Sequence, residues 1–278
     1  MANFCRHFVR NRLSVAGVSI LVLLTICAIF APMMAPNDPI EANISLRLEP
    51  PSALHLLGTD QLGRDILSRV IWGARTSLRG GALVVLLSSV SGVFLGVISG
   101  YWSGPTGMLI MRFVDFLLAF PSFLLAMGIV AILGASLSNA ILAVSISYVG
   151  PLARLARGVT IKVKENNYVE AARALGSPDL YIIIRHILPN ILSPLVVQST
   201  LNFGGAIVDI AGLSFLGLGA QPPTPEWGAL LSSARQYIRV AWWLTTFPGL
   251  AIMSTVVSFI FIGDGVREAM DPRQRRKR

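Results

Sequence analysis

Charge-free stretches of bilayer length recur along this chain. A membrane-spanning helix needs about 20 mainly apolar residues. A charge at mid-membrane costs on the order of 3 kcal/mol, so windows lacking Asp, Glu, Lys and Arg mark spans better than local propensity does. They predict helices near Leu13–Met34, Gly81–Tyr101, Met111–Leu133, Leu137–Arg154, Ile191–Leu213 and Ala241–Ile262. The third and fourth share one uncharged stretch, 116–153, in which Gly134, Ser136, Ser138 and Asn139 supply the polar turn where the chain folds back. The first segment follows Arg6, Arg10 and Arg12 as a secretory signal would. It exceeds the roughly 7–15 apolar residues of a signal core, and no small-x-small cleavage site follows it, so it is expected to stay as a helix. The pattern predicts an all-α membrane protein with about six transmembrane helices.

Composition strengthens that reading. Of 278 residues, 54% are hydrophobic and only 13% charged, with a mean hydropathy of +0.67, whereas a soluble domain carries roughly 25% charged residues. The net charge of +9 would suit nucleic acid if its cations clustered against phosphates. They lie instead between apolar segments and at the two ends, where they orient a membrane protein, so nucleic acid is not an expected partner. With the N-terminus inside, the inner segments hold Arg6, Arg10, Arg12, Arg112, the basic residues from Arg154 to Arg185 and those from Arg267 to Arg278, the majority of the 23 Lys and Arg. This bias puts both termini in the cytoplasm. The first outer loop is discordant, but its five arginines are accompanied by Asp38, Glu41, Glu49, Asp60 and Asp65. Cys5 and Cys27 precede and lie within the first segment, with no spacing for a disulfide or a thiolate metal site. Loops 35–80 and 155–190 are too short for a separate core. The tail from Arg273 to Arg278 reads as a solvated basic end, with at most a minor role at an anionic lipid surface.

The inner loop between helices four and five carries the most informative stretch, Glu170-Ala171-Ala172-Arg173-Ala174-Leu175-Gly176-Ser177-Pro178-Asp179. Alanines favour helix and permit close backbone approach, and Gly176 suits a helical stop. Ser177, Pro178 and Asp179 read as N-cap, first-turn proline and dipole-compatible acid of a second helix. A helix, a sharp turn and another helix make either a rigid elbow that exchanges displacement with a partner protein, or a plain surface hairpin joining two spans. The residues alone favour neither.

Glu-Ala-Ala, three residues, Gly176 and then Leu188-Pro189 resembles the EAA loop of ABC importer permeases, which docks into the ATP-hydrolysing subunit. His186 stands where that pattern often has Ile, a peripheral departure. Three further stretches resemble the dipeptide, oligopeptide and nickel branch, in its second, C-type permease: Leu57-Gly58-Thr59-Asp60-Gln61-Leu62-Gly63-Arg64-Asp65 with Ser68-Arg69 and Arg75-Thr76-Ser77-Leu78; Leu213-Ser214-Phe215-Leu216-Gly217-Leu218-Gly219 with Pro225-Glu226-Trp227-Gly228; and Gly263-Asp264-Gly265-Val266-Arg267 with Met270-Asp271-Pro272-Arg273.

Other residues have structural readings of their own. Arg64, Asp65 and Arg69 are expected to form ion pairs stiffening the outer loop, ahead of any substrate contact. The loop with Pro222, Pro223, Pro225 and Trp227 looks rigid and interfacial, suited either to packing or to a substrate-delivery protein. Gly92, Gly96 and Gly100, with Gly104 continuing the spacing, give one helical face on which a neighbouring helix can approach closely. Arg112 and Asp115 are spaced for an i,i+3 pair. Asp209 lies deep in helix five and must face protein or water; it either lines a path or bonds to Asn202 or a neighbouring helix. Pro121, Pro194 and Pro248 are expected to kink their spans.

No Gly-x4-Gly-Lys-Ser/Thr phosphate loop exists, and none of Lys162, Lys164 and Lys277 follows a glycine, so no ATP hydrolysis is expected on this chain. His7, His55 and His186 are scattered outside the predicted spans and support neither a metal site nor a membrane protease. No catalytic residue and no bound cofactor are expected. A stand-alone secondary transporter would show related halves and midplane coupling groups, and no internal repeat is seen. An intramembrane enzyme would need a nucleophile and base pair, which is missing.

The resemblance implies the type I importer permease fold. Residues 1–75 form the N-terminus, first span and outer loop, 76–265 a five-helix core with the coupling loop near 155–190, and 266–278 the basic tail. It also implies a homologous second permease, two ATP-binding subunits that hold ATP and Mg, an extracytoplasmic solute-binding protein, and residence in the bacterial cytoplasmic membrane. The implied cargo is a di- or oligopeptide, with nickel as the alternative.

Overall fold

The structure, a computed structural model, describes residues 8–9 and 11–270. Arg6, Arg10, Cys5, His7 and the basic tail from Arg273 lie outside the described residues. The main helices are α1 (Arg12–Ile29), α2 (Ile66–Tyr101), α3 (Pro105–Leu118), α4 (Ser122–Leu133), α5 (Leu137–Lys164), α6 (Asn167–Ala174), α7 (Leu188–Phe215), α8 (Trp227–Ala234) and α9 (Trp243–Met270). Helices α1, α2, α5 and α9, and α7 together with the turns leading into it from Asp179, are each long and apolar enough to cross a membrane. A sixth crossing exists only if α3 and α4, bent by 90° at their junction, form one span.

That bend corrects the straight third helix expected over Met111–Leu133. Pro121 offers no N–H and pushes Phe120 out of the helical region, so it does not kink a continuous span but ends one helix and caps the next, with ψ 130. Pro194 and Pro248, by contrast, sit inside helical runs that continue on both sides.

The expected helix ends are also corrected. Helix α2 starts at Ile66, not near Gly81, because Asp65 caps it: its Oδ2 accepts the Ser68 N–H at 2.8 Å. Arg69, Arg75 and Arg79 exclude this stretch from a charge-free window, yet a helix of 36 residues is about 54 Å long, well beyond a hydrocarbon core of about 30 Å. The charged turns stand above the bilayer core. In the same way α5 continues past Arg154 to Lys164, and α9 runs to Met270.

Close approach fixes the packing. A Cβ on Gly92 would meet Leu152 Cβ at 2.8 Å, one on Gly96 would lie 2.5 Å from the Ala153 carbonyl oxygen, and one on Gly100 2.8 Å from Thr160 Cβ. Helices α2 and α5 therefore run parallel in contact. Gly104 does not extend this stripe, because α2 has already ended and Gly104 caps α3 with nothing within 4 Å of its Cβ position. Helices α7 and α9 are antiparallel, Gly263 against Leu201 and Phe203 stacked on Phe259 with ring centroids 4.0 Å apart. Helix α1 lies along α9: Ser14 Oγ donates to the Phe261 carbonyl at 3.2 Å and Asn11 Nδ2 to Glu268 at 2.9 Å. Asn11, Met270 and α6 consequently share one end of the bundle.

At the opposite end the loop expected to be interfacial is partly core. Trp227 is fully buried and donates its Nε1–H to the Val70 carbonyl at 3.0 Å, over Gly73, where a Cβ would stand 2.7 Å from the indole. Glu226 beside it is also fully buried; its carboxylate accepts from Ala229 N–H at 2.9 Å and Ser77 Oγ at 3.1 Å. Burial pushes the Glu226 carboxyl up from the usual range, opposed by those bonds.

Candidate functional site

The Glu170–Gly176 stretch forms a capped elbow. Helix α6 spans Asn167–Ala174, with Glu170 in its first turn where the helix dipole favours an acid. Gly176 adopts φ 80, a left-handed conformation that costs a residue with Cβ about 1–2 kcal/mol. Its N–H donates to the Arg173 carbonyl at 3.0 Å, and the Ser177 N–H to that of Ala172 at 3.1 Å. These two bonds make a Schellman stop, satisfying carbonyls the helix end would leave open.

The second half of the elbow differs from expectation. Pro178, not Ser177, is the N-cap, and the turn Asp179–Ile182 passes through the π segment Ile183–Ile187 directly into α7. No independent second helix forms, because Ile182, Ile183 and Ile187 are drawn into the core with Val169, Val97, Ala156 and Ile191. The elbow is thus the bent start of a membrane span.

Tyr101, the last residue of α2, clasps this elbow. Its hydroxyl donates to Asp179 Oδ1 and accepts from Arg173 Nη2 at 3.4 Å, while its carbonyl accepts from Lys164 Nζ at 2.6 Å. The Arg173 guanidinium and Lys164 ammonium lie 5.6 and 5.5 Å from the Tyr101 ring centroid. The Tyr101 hydroxyl raises the Arg173 pKa further above its ordinary value, so the cation is permanent. The sequence reading missed Tyr101, an aromatic at the end of a span that signals no more than an interfacial anchor.

Away from this clasp the elbow presents apolar and small side chains. Leu175 is 86% and Leu180 68% exposed, and Ala171, Ala174, Tyr181 and Ile184 are exposed as well. Leu180, Tyr181 and Ile184 already belong to the span that begins at Asp179, whereas Ala171, Ala174 and Leu175 precede it and give the elbow an exposed apolar face of the kind found at contact sites.

The remaining polar candidates are dispersed. Asp209 on α7 accepts from the Tyr148 hydroxyl of α5 at 2.9 Å, and Gly205 leaves room for that hydroxyl. Asn202 does not join it: its Oδ1 accepts from Gln198 Nε2 at 2.8 Å. Asp115 pairs not with Arg112 but with Arg154, at 2.7 Å across α3 and α5. The Arg64 and Arg69 guanidiniums share Asp60, at 2.7 and 3.6 Å, while Asp65 meets His55 Nδ1 at 3.0 Å. Among the described residues no group of three or more His, Cys, Asp or Glu could hold a metal.

Residues 92–276 match the family described as binding-protein-dependent transport system inner membrane component. The chain belongs to that family. Residues 1–51 match the N-terminal TM domain of oligopeptide transport permease C. Among its relatives, the dipeptide transport system permease protein DppC of Alkalihalophilus pseudofirmus is 48% identical over 266 residues, 96% of this chain and 88% of that protein. The di/tripeptide transport system permease protein DppC of Pseudomonas aeruginosa is 45% identical, over 98% of this chain and 92% of its own length. The glutathione transport system permease protein GsiD of Pectobacterium atrosepticum is 44% identical, over 97% and 90%. The fold is that of a type I ABC importer permease: a chain of the MetNI methionine ABC transporter superposes with a TM-score of 0.60, covering 74% of this chain and 98% of that one at 18% identity. This protein is therefore a membrane transport permease. Membership of the family implies work alongside an ATPase and a binding protein.

Proposed function

We propose that this permease imports di- and oligopeptides across the bacterial cytoplasmic membrane, with ATP hydrolysed on two separate subunits that bind ATP and Mg. In this reading a homologous second permease completes the path and an extracytoplasmic binding protein delivers the peptide. The relatives' names support the cargo, since several are dipeptide or di/tripeptide permeases. The basic inner segments support an orientation with the elbow and both termini in the cytoplasm.

One observation carries the mechanism: an exposed apolar elbow, Glu170 to Pro178, held by Tyr101 to the ends of α2 and α5 and continuous with α7. A push on Leu175 reaches three spans at once, because no flexible linker intervenes. ATP binding closes the nucleotide subunits, the elbow moves with them, and the helices open the path outward; hydrolysis resets it. Asp209 and Asn202 face protein or the aqueous path, since lipid cannot solvate them. Glycines 92, 96 and 100 keep α2 and α5 in register so that they move together.

The test is Gly176→Asp in the assembled transporter. Labelled dipeptide uptake should fall to background while the chain still inserts and the ATP-binding subunits still hydrolyse ATP. Wild-type uptake in that variant would refute the coupling role.

A further inference from the structure

Arg75 and Arg79 lie one turn apart on the same face of α2, both exposed. Among the described residues neither makes an ion pair or a hydrogen bond; Arg75 contacts only the Trp72 ring, 5.6 Å from its centroid. Both open onto a groove of about 490 Å³ between α1, α2, α7 and α9. Leu21 and Ile29 of α1 form one wall, Leu78 another, and the stacked Phe203 and Phe259 rings the floor. Its one hydroxyl, of Thr25, is already bonded to the Leu21 carbonyl at 2.7 Å. A second groove of about 460 Å³ between α2 and α7 shares Ala82 and Phe203 with the first and leads on to Val93 and Leu192. There too the hydroxyls are spent, Ser89 and Ser199 on each other at 2.9 Å.

The depth of the two cations is fixed by sequence. Arg79 is the last charge before Arg112, so it marks the edge of the apolar window, and the groove wall ends with α1 at Ile29. Trp72, one turn outward, is the aromatic expected at a membrane–water boundary. Two guanidiniums without counter-ions thus stand at that boundary, at the bundle end opposite α6, above a continuous apolar trough. Beyond the two guanidiniums at its mouth the trough offers no free hydroxyl to bond a peptide backbone, so a peptide is a poor match for its length. A phosphate at the boundary suits the guanidinium forks, and an acyl chain suits the trough.

We propose that this groove binds a phospholipid of the leaflet opposite the α6 elbow, its headgroup phosphate held by Arg75 and Arg79 and an acyl chain lying over Phe203 and Phe259. The site is independent of cargo and of ATP coupling. The full-length chain, purified with whatever subunits accompany it, is titrated with phosphatidylglycerol in detergent and the lipid-bound mass read by native mass spectrometry. The wild type should show a first lipid adduct that Arg75→Gln/Arg79→Gln weakens about 30-fold, taking about 1 kcal/mol for each cation. Ala82→Phe, which fills the trough and keeps both arginines, should lose it too. Equal lipid binding by all three proteins would overturn the proposal. So would displacement of the lipid by inorganic phosphate as readily as by phosphatidylglycerol, which would mean an anion site only. Loss of a second permease from the double variant with lipid unchanged would assign the groove to a protein contact and overturn it equally.

Discussion

Glycine and one buried acid set the tightest local constraints. A Cβ at Gly96 would fall 2.5 Å from both the Ala153 carbonyl oxygen and Ala156 Cβ, backbone and branch points that cannot rotate away. Gly96→Val should destabilise the protein by about 2 kcal/mol, in the range of overpacked cores, and lower the unfolding midpoint in detergent. Gly158→Ala, inside α5 with nothing within 4 Å, should leave it unchanged or raise it by about 0.5–1 kcal/mol, the helical preference for Ala. Glu226 adds a pH signature. Burial raises its folded pKa above the unfolded one, so its contribution is fully present below the usual carboxylate range and is lost as pH rises through the raised value. The wild-type midpoint should therefore fall across that window, whereas Glu226→Gln should remove this part of the pH dependence. A wild type and variant with parallel pH profiles would exclude Glu226 as the source.

Tyr101 decides how far α6 and the start of α7 behave as one piece. Its hydroxyl joins Asp179 and Arg173, partners more than 70 residues away in sequence. Tyr101→Phe keeps the ring near both cations and removes these bonds, each worth about 1 kcal/mol. Too little is lost to unfold the bundle, so hydrogen exchange should rise over 167–182 with the spans unaffected. Unchanged exchange there would show that the apolar core of Val169, Ile182 and Ile187 holds the elbow alone. The clasp also shows what local sequence can and cannot carry. The helix and the Gly176 stop are readable because each depends on neighbours within a turn. Tyr101 is not, since its role depends on where a distant loop folds back. The helix boundaries fail for a related reason. Charge-free windows locate the hydrocarbon-crossing part of α2, but Asp65, Arg69, Arg75 and Arg79 lie on turns that continue beyond it. Trp227 was expected at an interface because prolines and an aromatic signal one; its burial over Gly73 depends on a second helix.

For the molecule as a whole, charge-free windows locate five long apolar helices, a sixth crossing rests on the pair α3 and α4 broken at Pro121, and the importer architecture is legible only through the family resemblance. The family match and the relatives place this architecture among transport permeases. Contacts run from the exposed elbow through Tyr101 into α2 and α5 and through the π segment into α7, and in the proposed mechanism these three spans share a displacement at Leu175. The most direct test of this account is ATP-dependent uptake by the reconstituted assembly. The chain, co-purified with its permease and ATP-binding partners and placed in proteoliposomes with binding protein outside, should accumulate labelled dipeptide only when ATP is inside. Accumulation by the chain alone without ATP would contradict it and identify a secondary transporter.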